Sequence, residues 1–155
     1  MVTPAAHALL QAAEDIPSAV AGLTMAQRWA RPGGAASVGF HLRHIRGSID
    51  RLLTYASGLT LSDAQLASLG SEALGSGDAS EEMARDAVAA IARAIEVMRT
   101  TPPESYLEPR AVGRRALRTT VFGLLVHIAE HTQRHAGAII ATAKVVRAAP
   151  GAASS

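Results

Sequence analysis

The chain has 155 residues, of which 48% are hydrophobic, 18% charged and 3% aromatic, and its formal net charge is +2. That length fits one domain with a sizeable core, the apolar content excludes a disordered chain, and an alanine-rich, aromatic-poor composition argues for helix over a β-sandwich or barrel. With no cysteine, disulfides, thiolate zinc sites, iron–sulfur clusters and a cysteine nucleophile are excluded.

In chain order, Thr3-Pro4 starts a first helix, with Thr as cap and Pro at the first helical position. It runs through Leu9, Leu10 and Ala13 until Pro17 ends or kinks it. Thr24-Met-Ala-Gln27 has capping-box spacing for a short turn ending near Trp29, and Arg31-Pro-Gly-Gly34 is a loop. Ser37 caps a second helix whose apolar positions Val38, Leu42, Ile45, Ile49, Leu52 and Leu53 recur at three and four, and Gly58 stops it. A short amphipathic piece is expected around Asp63–Leu69, followed by a Gly/Ser-rich loop over 70–77. Ser80-Glu-Glu82 opens a third long helix as a cap followed by acids, with Val88, Ile91, Ile95 and Met98 as its core stripe and Pro102-Pro103 as its end. Residues 104–117 read as irregular and basic. Thr119 or Thr120 then caps a last helix through Leu124, Leu125, Ile128, Ile139 and Ile140 to about Val146. With no convincing strand alternation, four amphipathic helices give an antiparallel all-α bundle in which two connections are long. A single domain over residues 1–147 is expected, with 148–155 as a disordered tail.

The longest apolar run, 121–126, is interrupted by His127 and falls far short of the roughly 20 residues that a membrane span needs. The N-terminal segment lacks the basic stretch of a signal peptide, so a cytoplasmic protein with no membrane partner is expected. The 15 basic and 13 acidic residues nearly cancel. With only five aromatics, Trp29, Phe40, Tyr55, Tyr106 and Phe122, there is little for base stacking, and nucleic-acid binding is not expected.

Five of the six histidines fall in two clusters, His41-Leu-Arg-His44 on the second helix and His127-Ile-Ala-Glu-His131-Thr-Gln-Arg-His135 on the last. Four helical residues turn through about 400°, so His131 and His135 lie one above the other and can bite one ion. His127 is on the same stripe, one turn earlier, and is out of reach of an ion held centrally by that pair unless the site shifts. A third ligand comes from the second helix, His44 or His41. Three imidazoles with open positions match a catalytic zinc site, and nickel, cobalt or iron also accept imidazole. His7 stands apart as a surface residue. Competing chemistries fail. A di-iron carboxylate site needs Glu-x-x-His on two helices, but Glu130 is followed at that spacing by Gln133, and the second helix carries no Glu. His-Glu-x-x-His and Gly-x-Ser-x-Gly are absent too.

The segments 37–53 (SVGFHLRHIRGSIDRLL) and 119–137 (TTVFGLLVHIAEHTQRHAG) resemble the DinB/YfiT-like metalloenzyme family, and the resemblance extends from about Leu23 to Val146. It implies a DinB-like four-helix bundle with one long crossover connection, often as a homodimer. It implies a divalent metal ion, zinc or nickel, held by His44, His131 and His135. His41 and His127 are then neighbours that donate to ligands or line the pocket, with Glu130 beside them. Family members commonly carry Gly-Gln after the last ligand, where this chain has Gly137-Ala138. Close approach of a neighbouring helix is the expected reason for a mid-helix glycine at 137.

Characterised relatives include transferases and isomerases that use bacillithiol, mycothiol or glutathione. The resemblance therefore implies a metal-dependent enzyme acting on a small-molecule substrate, with an external low-molecular-weight thiol, since the chain supplies no sulfur of its own. Glu130, Glu72 and His127 are candidates for proton transfer. Arg110, Arg114, Arg115 and Arg118 read first as a solvated basic loop and, functionally, as an anchor for the carboxylates of an anionic thiol. The alternative is a non-catalytic, stress-associated bundle that binds a metal or small ligand.

Overall fold

A computed structural model describes residues 3–149. Six helices and one hairpin follow in the order α1 (Thr3–Val20), α2 (Met25–Trp29), α3 (Val38–Ala56), α4 (Asp63–Ser71), α5 (Ser80–Thr100), β1 (Pro109–Val112), β2 (Leu117–Thr120) and α6 (Val121–Ala148), with single 3-10 turns at Pro32–Gly34 and Pro103–Ser105. The fold is all-α, built on the four longest helices. α6 packs between α1 and α3, and α5 closes the other side by packing on the same two. One core joins them: Leu9, Ile16 and Val20 from α1, Leu42, Ile45 and Ile49 from α3, Ile91 from α5, and Leu125, Ile128 and Ile139 from α6 are all fully buried. Each such aliphatic side chain contributes about 1.5–3 kcal/mol on burial. No helix among the described residues is long and apolar enough to cross a membrane.

The caps fall where the polar residues put them. Thr24 and Gln27 form a reciprocal capping box on α2, and Ser37 Oγ accepts from the Phe40 amide at 3.1 Å. Ser62 and Gln65 form a second capping box on α4, and Thr120, rather than Thr119, accepts from the Gly123 amide at 3.1 Å to start α6. Gly58 ends α3 in the left-handed region, with φ of 76°.

Several expectations are corrected. α1 does not end at Pro17. It continues to Val20, because Ile16 and Val20 are fully buried and their packing holds the last turn while Pro17 faces outward. α5 has Ala79, not Ser80, at its cap position; the Ser80 hydroxyl instead accepts from buried Arg28 at 3.1 Å. The buried stripe of α5 is largely alanine, Ala84, Ala87, Ala90 and Ala94 with Ile91 and Met98, and Val88 and Ile95 are only half-buried. Small side chains let α5 lie close to α1 and α3. α4 forms but buries none of its residues, so it is not amphipathic in use.

The segment before α6 is not irregular: β1 and β2 pair antiparallel in the register Pro109↔Thr120 to Val112↔Leu117. Four-residue strands are too short for alternation to show in sequence. The hairpin is tied to α3 by Arg110 Nε donating to Ala56 O at 2.7 Å, and its base satisfies the first amides of α6, with Val121 N donating to Glu108 O and Phe122 N to Tyr106 O. Gly137 meets no close helix, since a Cβ built there has nothing within 4 Å. The close approach is at Gly39 instead, where a Cβ would lie 2.7 Å from the Trp29 ring. The expected tail at 148–155 falls largely outside the described residues.

Candidate metal centre

The two histidine clusters meet where α3 crosses α6. His41 pairs with His135 and His44 with His131, so the helices run in opposite directions through the site. On α6 the spacing of four stacks His131 and His135, with ring centroids 4.5 Å apart. The His44 ring lies 4.5 Å from that of His135 and 5.0 Å from that of His131. One nitrogen of each of these three rings lies within 4.8 Å of the others.

The remaining candidates are arranged around this cluster. His41, 8% exposed, touches it through His135, Nδ1 to Nδ1 at 2.8 Å. His127 stands one turn away, its ring 5.5 Å from His131 and its side chain about half exposed. Glu130 points outward, 3.8 Å from His127 Nδ1, beside an apolar groove between α1 and α6. Arg110 is engaged by Glu108 and Ala56, and Arg114, Arg115 and Arg118 are exposed on the hairpin with no ion pair among the described residues.

Two groups that sequence reasoning left aside belong to the site. Phe40 stacks on His44, with centroids 5.2 Å apart and planes 14° apart, and sets its ring edge-on to His41. Its position one residue before His41 was the available signal. Glu72, named only as one of three proton-transfer candidates, is 3% exposed; Oε2 lies 2.6 Å from His44 Nδ1 and Oε1 accepts from Arg51 Nη1 at 2.7 Å. A charged cavity of about 570 Å³ lies beyond Glu72, lined by Arg43, Arg46, Asp50, Asp86 and Arg93, and none of the histidines lines it.

Three of these imidazoles are held below the ordinary histidine value. Burial, then the charge of His44, pushes His131 down to about 4 and His135 to about 3, and the same two causes lower His41. Burial alone would raise Glu72, but the hydrogen bonds from His44 and Arg51 outweigh it and hold the carboxyl below its ordinary value. An ionised carboxylate only accepts, so His44 Nδ1 donates to Glu72, and His44 Nε2 faces His131 Nε2 at 2.9 Å. The donor set could hold a metal ion: three imidazoles converge, His44 with its other nitrogen on a carboxylate, and no thiolate is present. With His44 as the Nδ1–H form, moving the proton between the two Nε2 atoms to His131 Nδ1 turns both lone pairs toward a cation.

The family model of the DinB superfamily matches residues 8–139, and the chain belongs to that superfamily. The match begins inside α1, before the Leu23 at which the resemblance in sequence starts, and covers both histidine clusters. No curated protein and no solved structure matches the chain.

Proposed function

We propose that the protein is a metal-dependent enzyme that holds a divalent ion at His44, His131 and His135 and uses an external low-molecular-weight thiol in a transfer or isomerisation of a small molecule. The observation that supports this most is the convergence of three imidazoles within 4.8 Å, contributed by two helices of a DinB-superfamily bundle. An ion held by neutral ligands alone keeps its full charge and so favours the thiolate over the thiol of a bound cofactor. The residues around it divide the remaining work. Phe40 covers one face of His44 and keeps water from that side. His127, beside His131 and about half exposed, is the group placed to take the proton of an incoming thiol. The sulfur comes from outside, because the chain has no cysteine.

The test is thermal shift of protein purified without a metal-affinity tag, after elemental analysis, against bacillithiol, mycothiol and glutathione with and without a chelator. A thiol at 100 times its Kd should stabilise by about 2.7 kcal/mol, and only when the metal is present. Metal uptake with no shift from any thiol would reject the transferase reading and favour the binding protein. Uptake that survives both His44→Ala and His131→Ala would reject the ligand assignment.

A further inference from the structure

Glu72 sits in a stretch whose composition reads as a linker, yet it is among the most buried charged residues described. We propose that Glu72 is a positioning residue for His44: its carboxylate fixes the ring as the Nδ1–H tautomer and so aims the Nε2 lone pair at the ion. This rests on the metal-site reading above and adds to it a residue from a different part of the chain.

The carboxylate divides its oxygens between two partners. Oε2 accepts a hydrogen bond from His44 Nδ1 at 2.6 Å, and Oε1 accepts one from Arg51 Nη1 at 2.7 Å. Arg51 is itself 7% exposed and sits on α3 two turns beyond His44, so it anchors the carboxylate from the same helix that carries the imidazole. The α3 backbone makes room for it. A Cβ at Gly47 would run into Glu72 Oε1 and lie 2.7 Å from Arg51 Nη1, which accounts for a glycine in mid-helix, where it is unfavourable by about 1 kcal/mol. The loop that delivers Glu72 is fastened on both sides. Arg43 Nη1 donates to Ser71 O at 3.3 Å and Leu74 O at 2.7 Å, and Trp29 Nε1 donates to Ser76 O at 3.0 Å. A metal-binding imidazole needs its second nitrogen engaged to hold one tautomer and one ring orientation. Glu72 does this for His44, and nothing in α4, which buries no residue, needs a buried carboxylate for its own sake.

Glu72→Gln separates this role from simple loop anchoring. An amide must turn its NH2 toward either Arg51 or His44 Nδ1, and both positions in the native site donate. Two measurements on the full chain decide it: cobalt(II) titration followed by absorbance, and nitrogen-15 NMR of histidine-labelled, metal-free protein. His44 of the parent should show the Nδ1–H tautomer and Glu72→Gln should lose it, with cobalt(II) bound about 10–100-fold more weakly. Gly47→Ala, which displaces the carboxylate without altering it, should weaken cobalt(II) binding in the same direction. The proposal is overturned if Glu72→Gln keeps the His44 tautomer and binds cobalt(II) within about twofold of the parent, a loss of thermal stability alone being the mark of an anchor. If the parent itself takes up no cobalt(II), the metal-site reading fails, and the His44 tautomer in parent and variant still decides the role of Glu72.

Discussion

Gly137→Ala tests whether the packing around α6 is complete as described. Gly137 is exposed, sits two residues after His135 in the interior of a 28-residue helix, and would gain a Cβ with nothing within 4 Å. Helix propensity and the reduced freedom of the unfolded chain then act alone, and together favour alanine by about 1 kcal/mol. For a chain of this size that is a rise in Tm of about 2–4 °C. The same substitution at Gly39 has the same propensity gain but places the Cβ 2.7 Å from ring carbons of Trp29. Trp29 cannot swing away freely, since Nε1 is bonded to Ser76 O at 3.0 Å and the Arg43 guanidinium covers its face at 5.3 Å. Overpacking of this kind costs about 1–3 kcal/mol, so Gly39→Ala should be neutral to destabilising while Gly137→Ala stabilises. Reversible urea and thermal unfolding by circular dichroism, in chelator, measures both. A lower Tm for Gly137→Ala would refute the reasoning, because it would mean that the face around residue 137 is covered, and sedimentation of the two proteins would show whether a second copy covers it.

Two further outcomes follow from the same structure. His131 and His135 titrate at about 4 and about 3 in the folded chain against an ordinary histidine value of 6.5, so between those values the unfolded chain binds more protons and folding stability falls as pH drops below about 6.5. Each contributes a slope of at most about 1.4 kcal/mol per pH unit, reduced by solvent at these half-buried rings, and a urea midpoint that stays flat from about pH 7 to about pH 5 in metal-free protein would contradict it. Ile128→Ala, at a fully buried position between His127 and His131 of α6, should cost about 2–5 kcal/mol, and a loss under about 1 kcal/mol on urea unfolding would mean that the core there is loosely packed.

The helical frame is readable because its signals are local. Caps at Thr24, Ser37 and Thr120 and the stop at Gly58 are decided by a few neighbouring atoms, and the structure places them accordingly. The departures have a common origin in tertiary context. Pro17 lacks the amide for its helical bond, but the burial of Ile16 and Val20 outweighs that loss, and no local rule contains it. Periodicity gives the α5 stripe to its largest apolar residues, whereas the core at that corner selects for alanines that let helices approach. The hairpin escapes local reading because its stabilising bonds reach out of the segment, to Ala56 and to the first turn of α6.

The candidate site divides along the same line. His131 and His135 are joined by helix periodicity, so their meeting can be read from spacing, and the meeting with α3 needs only that two helices be neighbours. On residues alone the third partner stays open between His41 and His44. The ring contacts distinguish them: His44 reaches both α6 histidines, whereas the polar contact of His41 is with His135 through Nδ1. Glu72 is different in kind. It lies in a loop with no period, 28 residues from His44, and its place is fixed by Arg51, Arg43 and Trp29 acting from two other elements. The one sequence mark of its presence is Gly47, a glycine in the middle of an otherwise well-formed helix and four residues before an arginine. Such a glycine announces that something approaches the backbone closely. Only the folded chain shows that what approaches is a carboxylate, and that it arrives with its second oxygen on a histidine of the cluster.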